Sequence, residues 1–381
     1  MDGPGMTPEG SQPAVLAAGR SRRRVLVVST WFPSDDRPGV APFNVAHAQA
    51  IARHHDIRVV HVRLGSGAPA RTDTHSGLTM TRLPFSPRHP AAMIRSLSAL
   101  RRLCADANVV HSMAFSTVGV LATLYPQISD RWVHTEHWNG VTDPKRVGGL
   151  WQRVAAARHL LRLPRRVSAV TEDLATAMAR FTRRDAMRVI PCVVADSFSV
   201  GEPLLWTPLR LVAVGALTDR KQPLLAVETV AALVARGVDV HLTWVGDGPL
   251  RDRVDRSATE LGVRERVRLT GAVPPDRVAE HVRAANLFFL PTAAENFLTS
   301  AAEAIACGRP VVLPDAGGYT DYVDATNGVI AKAADPATLA EAVLQAREAF
   351  AGVAPERIRA TVSARFSEAT VAEQFVELYA R

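Results

Sequence analysis

The stretch Pro291-Thr-Ala-Ala-Glu295-Asn-Phe-Leu-Thr-Ser-Ala-Ala-Glu303-Ala-Ile-Ala-Cys-Gly308-Arg-Pro-Val-Val-Leu-Pro-Asp-Ala-Gly317-Gly318 decides the fold. Residues 287–290 lead into it as a buried strand, and a loop follows. A helix is expected from near Thr299, and residues 310–313 are apolar again. The same alternation extends outward. In the second half, residues 209–214, 240–245 and 267–269 read as strands, with helices over 223–236 and 250–261. In the first half the strands are 25–29, 57–62, 108–111, 131–134 and 167–170, and 44–54 has helical spacing. Apolar strands alternating with helices predict parallel sheets covered on both faces. Two successive sets predict an α/β protein of two Rossmann-like domains facing a cleft, joined near the aperiodic segment 196–208. Ligands of such sheets lie beyond the carboxyl ends of the strands. Residues just after strands are therefore the candidates.

A chain of 381 residues, 47% of them hydrophobic, suits two domains and excludes global disorder. No apolar run approaches the ~18 residues of a membrane span. The net charge of +8 is uneven: +12 over residues 1–200 and −4 over 201–381. The basic half points to an anionic partner, and without an aromatic-plus-basic motif nucleic acid is not expected. Three widely spaced cysteines make neither a disulfide framework nor a CxxC metal site. Residues 1–20 read as a disordered tail. Their apolar patch precedes the basic cluster 20–24, the reverse of a secretory signal, so a cytoplasmic protein is expected. The basic stretch 151–166 reads either as a face for an anionic membrane or as a helix docked on the sheet.

Glu295 lies on the loop before the predicted helix and Glu303 on its second turn, so both can face one ligand. A carboxylate accepts vicinal hydroxyls, and the first amides of the helix suit an anion. A nucleotide sugar supplies all three groups. Taken singly, either acid would be an ordinary capping or solvated residue; the run around them argues for a ligand. Residues 132–139, Trp-Val-His134-Thr-Glu136-His137-Trp-Asn, end a strand and enter a loop, as a ligand site would. The loop 32–44 after the first strand is long for a strand-to-helix turn. In it Gly39 permits close backbone approach, and Asn44 can cap the next helix.

The run from Glu295 to Glu303, then Ala304-Ile-Ala306-Cys-Gly308-Arg-Pro310-Val-Val312 and Gly317-Gly318, resembles the hallmark of the GT-B glycosyltransferases, retaining family 4 (glycosyl transferases group 1). Val214-Gly215-Ala-Leu, Trp244-Val-Gly246-Asp247-Gly248-Pro249 and Leu269-Thr-Gly271 follow the family order. The resemblance implies an acceptor-binding domain over 21–198 and a nucleotide-sugar domain over 199–365. It also implies a C-terminal helix within 366–381 crossing back to the first. Catalysis falls to Glu295, His137 and Lys221. Donor binding falls to Arg220, Lys221, Glu295, Phe297, Leu298, Thr299 and Glu303, with Glu303 on the ribose, Glu295 on the hexose and the helix start on the diphosphate. Gly39 and Glu136 belong to the acceptor and diphosphate side.

Three positions depart from the family pattern. Ala216 stands where an Arg is usual, and Arg220 is placed to replace it. Asn296-Phe297-Leu298 stands for Gly-Phe-Gly, and Pro191-Cys192-Val193 for Pro-Asn-Gly. No Asp-x-Asp triplet occurs, which fits metal-independent transfer with no cofactor beyond the donor. The expected function is retaining transfer of a hexosyl unit from a nucleotide diphosphate sugar to a lipid-linked or cell-surface glycan, at the inner membrane face. The alternatives are a small soluble acceptor, or a non-catalytic nucleotide-sugar-binding protein.

Overall fold

In the computed structural model, residues 22–34, 39–144, 149–183 and 185–380 are described. The tail expected over 1–20, and positions 35–38 of the first loop, lie outside them. The first sheet holds β1 (Arg24–Ser29), β2 (Asp56–Leu64), β3 (Arg71–His75), β4 (Leu78–Phe85), β5 (Val109–Met113), β6 (Trp132–Glu136), β7 (Arg166–Ala169) and β8 (Met187–Val189). Their order is β3-β4-β2-β1-β5-β6-β7-β8, parallel except at β3–β4. The second sheet holds β9 (Leu209–Val214), β10 (Val240–Val245), β11 (Val267–Leu269), β12 (Leu287–Phe289), β13 (Val311–Pro314) and β14 (Gly328–Ala331). It is all parallel in the order β11-β10-β9-β12-β13-β14.

Helices cover both faces of the first sheet, so β5 and β6 are buried at every residue, and their polar side chains are hydrogen-bonded to one another: His111 to Thr135 at 2.6 Å and Ser112 to His134 at 2.9 Å. The sequence reading passed over β3, β4, β8 and β14. β3 and β4 form an edge hairpin whose Thr, Arg and Asp residues hide the strand signal, turning at Ser76-Gly77 with φ of 49° and 78°. In each sheet the first strand sits between a neighbour on either side, β1 between β2 and β5, β9 between β10 and β12. Chain order reverses there, so adjacent loops part and leave a crevice.

The C-terminal helix Glu368–Tyr379 packs against helix Pro42–Ala52. Val371, Phe375 and Tyr379 share a core with Val25, Val27, Val109 and Val133. Its last carbonyls are capped from the first domain. Arg23 and Arg165 reach Tyr379 O at 2.9 and 3.2 Å, and Arg166 reaches Leu378 O and Ala380 O at 3.1 and 2.8 Å. Guanidinium groups thereby meet the negative end of the helix and its unpaired carbonyls. The basic stretch 151–166 is accordingly docked. It divides into helix Gly149–Arg153 and the 3₁₀ stretch Ala155–Arg162. Arg158 lies 4.2 Å over the Phe181 ring and donates to Val141 O at 3.1 Å.

Candidate functional site

At the switch point of the second sheet, the loops after β9 and β12 meet. A Cβ on Gly246 would overlap the Gly215 carbonyl, so two glycine turns press backbone to backbone beneath Lys221. Asp219–Lys221 forms a short 3₁₀ turn. Lys221 is buried, and its Nζ lies 2.8 Å from Glu295 Oε1. Arg220 pairs with the same oxygen and donates to Ala294 O at 3.1 Å, while Thr292 Oγ1 stands 3.0 Å from it. Burial pulls the Lys221 ammonium below its ordinary range, and Glu295 opposes that fall. The group is two cations on one carboxylate, a net positive charge held in a low-dielectric crevice.

Gly317 has no room for a Cβ because the Glu295 carbonyl occupies that space, and Gly318 N donates to that carbonyl at 3.2 Å. The Gly-Gly turn thus shapes the Glu295 loop. Helix Thr299–Ala306 follows, and no side chain caps its start. Among the described residues, the amides of Asn296, Phe297 and Leu298 meet no acceptor. Glu303, on the second turn, is half-buried and has no hydrogen-bond partner there either. Burial pushes its carboxyl up to about 7. A half-buried carboxylate that no protein group satisfies is open to ligand hydroxyls.

The side chains of Phe297 and Leu298 do not join this site. Phe297 packs on Tyr322 and Phe366 at 5.0 and 5.2 Å between ring centres, and Leu298 is buried in the core. Only their amides are left to serve a ligand. Thr299 lies against the Cys192 thiol, which burial pushes up to about 12.

The first domain brings His137 to the same cleft. Asn296 Nδ2 donates to His137 O at 2.9 Å, joining the two domains. Asn296 in place of glycine is therefore a link between them. His47, which the sequence reading passed over, fixes the His137 ring. Its Nε2 lies 2.9 Å from Pro191 O and must carry the proton, since a carbonyl only accepts. Burial lowers His47 to about 4 and His137 well below its ordinary value, so both rings are neutral. His47 Nδ1 is then an acceptor for His137 Nε2–H at 3.3 Å. His137 Nδ1 is left as a buried lone pair with no partner among the described residues. The ring stacks on Phe43, 4.6 Å between centres. His47, His137 and Cys192 also place ligand-type atoms within 4.8 Å of one another. The two imidazoles there are already joined by their own hydrogen bond.

Two expected residues take other roles. Glu136 is fully buried, and its Oε1 accepts the His137 and Trp138 amides, both at 2.9 Å. It shapes the loop and is out of reach of an acceptor. Gly39 is exposed with open space where a Cβ would stand, so no close approach requires glycine there. Asn44 does not cap its helix: Ala41, at φ 50°, occupies that position, and the Asn44 amide donates to Trp31 O at 2.7 Å.

With this geometry in view, the similarities to known proteins are specific. The family model for glycosyl transferases group 1 matches residues 208–348, the second domain. Over most of its length the chain superposes on sucrose-phosphate synthase from Thermosynechococcus elongatus, with TM-score 0.77 and 21% identity over 94% of this chain and 98% of that one. Anabaena HepE in complex with UDP and glucose gives TM-score 0.73 and 18% identity, over 93% and 99%.

The fold is GT-B.

Among curated proteins, a GDP-mannose-dependent phosphatidylinositol dimannoside mannosyltransferase of Mycobacterium tuberculosis is 35% identical over 33% of this chain and 32% of its own. A D-inositol 3-phosphate glycosyltransferase of Acidothermus cellulolyticus is 30% identical over 52% and 44%. The chain thus spans a third to under a half of these relatives' length. In the GT-B frame the Lys221–Glu295 crevice and the His137 loop face each other from the two domains. No described helix is long and apolar enough to cross a membrane.

Proposed function

We propose that the protein is a glycosyltransferase that moves a hexosyl unit from a nucleotide diphosphate sugar to an acceptor held by the first domain. The observation that carries the reading is the concentration of unsatisfied groups around one crevice. Lys221 and Arg220 share a single carboxylate, Glu303 has no partner, and three amides precede an uncapped helix. A nucleotide sugar answers each of them. Its diphosphate takes the cations and amides, a ribose hydroxyl pair takes Glu303, and the hexose lies between Glu295 and His137.

Transfer makes the diphosphate a leaving group, and its growing negative charge is stabilised by fixed cations and backbone dipoles. Arg220, half-exposed, can swing from Glu295 to a phosphate, which gives it the place of the Arg missing at Ala216. His137 Nδ1, an acceptor by its hydrogen-bond chain, receives a hydroxyl of the hexose. The cations and amides do the work a divalent ion would do, so the reading is of metal-independent transfer. Retention of anomeric configuration follows if the departing phosphate takes the acceptor proton on the same face. The acceptor belongs to the lipid-linked or cell-surface glycans in this reading. A small soluble acceptor is the second reading, favoured by the concave pocket of the first domain and by the internal use of Arg158, Arg165 and Arg166.

Incubating the protein with a panel of nucleotide sugars, and following stabilisation and transfer, tests the assignment. A stabilising donor and product with the original anomeric configuration are expected. Near-normal turnover by Lys221→Ala and Glu303→Ala overturns it. Flotation with anionic liposomes separates the two acceptor readings.

A further inference from the structure

His47, His137 and Cys192 come from three separate parts of the chain: helix Pro42–Ala52, the loop after β6, and the passage from β8 toward the second domain. A nitrogen of each ring and the thiol sulfur all lie within 4.8 Å of one another. Among the described residues this is the one group of three metal-ligating side chains that meets so closely.

The spacing is that of a coordination shell. His47 Nδ1 and His137 Nε2 stand 3.3 Å apart, long for a hydrogen bond. Two imidazole nitrogens bonded to one tetrahedral ion at about 2.0–2.1 Å stand about 3.3–3.4 Å from each other. The His47 ring is already held as a metal ligand is held. Its Nε2–H donates to Pro191 O at 2.9 Å, which leaves the Nδ1 lone pair for His137 or for an ion. That carbonyl belongs to the residue before Cys192, so one stretch of backbone orients the ring and carries the thiol. The donor set is two imidazoles and a thiol, without a carboxylate. It suits zinc(II) and is wrong for magnesium or calcium, which take oxygen ligands. Exposure rises from 0% at His47 and 2% at Cys192 to 9% at His137, so the group opens at His137, on the cleft side.

We propose that His47, His137 and Cys192 bind one zinc(II) ion, and that the ion switches transfer off. The second clause rests on the transferase reading. The step is an exchange of protons for metal, with no change of oxidation state. Zinc bonds to His47 Nδ1, to His137 Nε2 and to the Cys192 sulfur. The thiol proton leaves to water. The hydrogen on His137 Nε2 leaves as well, and Nδ1 takes one up, so the ring stays neutral and one proton is released in total. His137 Nδ1 is thereby turned from acceptor to donor, and a hydroxyl hydrogen of the hexose no longer finds its lone pair. The ion also ties helix Pro42–Ala52 to the thiol beside Thr299, at the start of the donor helix. It is an inhibitor and supplies nothing to the transfer itself.

The test uses the full chain, with cobalt(II) as an optical probe of the zinc site. One equivalent is expected to produce the intense sulfur-to-cobalt absorption of a thiolate ligand, and zinc to bleach it. Surface histidines give no such band. Cys192→Ser should abolish it, while Cys307→Ser, which removes another buried thiol, should leave it intact. His47→Phe should weaken zinc binding about a hundredfold, one ligand's share of a site's affinity, read by competition with a chromophoric chelator. Zinc should also raise the melting temperature of the parent chain and leave that of folded Cys192→Ser unmoved. In the transfer assay, zinc should lower kcat about tenfold, the scale of one reversed hydrogen bond, and a chelator should restore it. Magnesium should have no effect, and Cys192→Ser should be insensitive to zinc. A band that survives Cys192→Ser overturns the proposal, as does zinc taken up without a band, which marks an adventitious ion only. Full turnover by the zinc-loaded chain overturns the inhibitory role. A thiolate band in a chain that transfers no sugar supports the site and counts against the transferase reading.

Discussion

The two halves solve opposite electrostatic problems. The second half carries net negative charge, −4 over residues 201–381, yet its crevice is cationic. Lys221, Arg220 and the amides before Thr299 converge there by topology, because β9 and β12 are neighbours at the reversal of strand order. The first half carries +12 over residues 1–200, yet much of that charge faces inward. Arg23, Arg165 and Arg166 cap a helix, Arg158 stacks on Phe181, and Arg82 is buried. Bulk charge therefore says little about where an anion binds. What matters is whether a cation's donors are already used.

The largest test of this contrast removes a cation from the acidic half. Lys221→Ala should lower kcat about a hundred- to a thousandfold, the loss expected for one group that stabilises transition-state charge. Steady-state kinetics with a saturating donor reads it. A loss below tenfold would mean that the crevice does not meet the leaving group.

A second test uses Glu303. Its carboxyl is raised to about 7 by burial, and only the ionised form accepts two hydroxyl hydrogens. Donor affinity should fall about tenfold per pH unit below that value. The sign for stability is the reverse. The folded state holds a proton that the unfolded chain gives up near 4.5, so the unliganded protein loses stability as pH rises from about 4.5 to about 7. Glu303→Gln should flatten both profiles, in calorimetric titration and in denaturant melts.

A third, smaller effect probes the first domain. His47→Phe keeps a ring beside Phe375 but removes the acceptor that fixes the His137 tautomer. About a tenfold fall in kcat is expected, with nucleotide binding unchanged, the scale of one misplaced hydrogen bond. An unchanged kcat would show that the tautomer of His137 is immaterial. The smallest effect is on stability alone. Arg166→Ala should cost about 1–2 kcal/mol in urea unfolding, by uncapping the C-terminal helix.

How far the site was legible depended on what each residue answers to. The placing of Glu295 on the loop and Glu303 on the second helical turn was readable because their spacing is local. In the second domain β12 and β13 were readable as unbroken apolar runs and β9 and β10 as mostly apolar ones, whereas the short β14 was passed over. β3 and β4 were not, because an edge hairpin alternates threonine and arginine with apolar residues and can be taken for a loop. Glu136 was misread as a ligand contact because a strand-end acid looks the same whether it meets a substrate or its own loop amides. Phe297 and Leu298 were read as donor contacts by position, although the Phe297 ring turns onto Tyr322 and Phe366 and the Leu298 side chain is buried in the core.

By itself the sequence determined two sets of parallel strands, the helix beginning at Thr299, and the placing of one acid on the loop before it and the other on its second turn. These follow from periodicity and chain-local spacing. Only the tertiary structure decided which cations are still free to act. Arg165 is spent on a helix end 214 residues away, and Arg82 faces Arg71 through the register of β3 on β4. His47, likewise, meets His137 across a separation of 90 residues. Hydrogen bonds saturate, so a residue's chemistry is set by the partners that folding brings to it, and those partners lie far away in the chain.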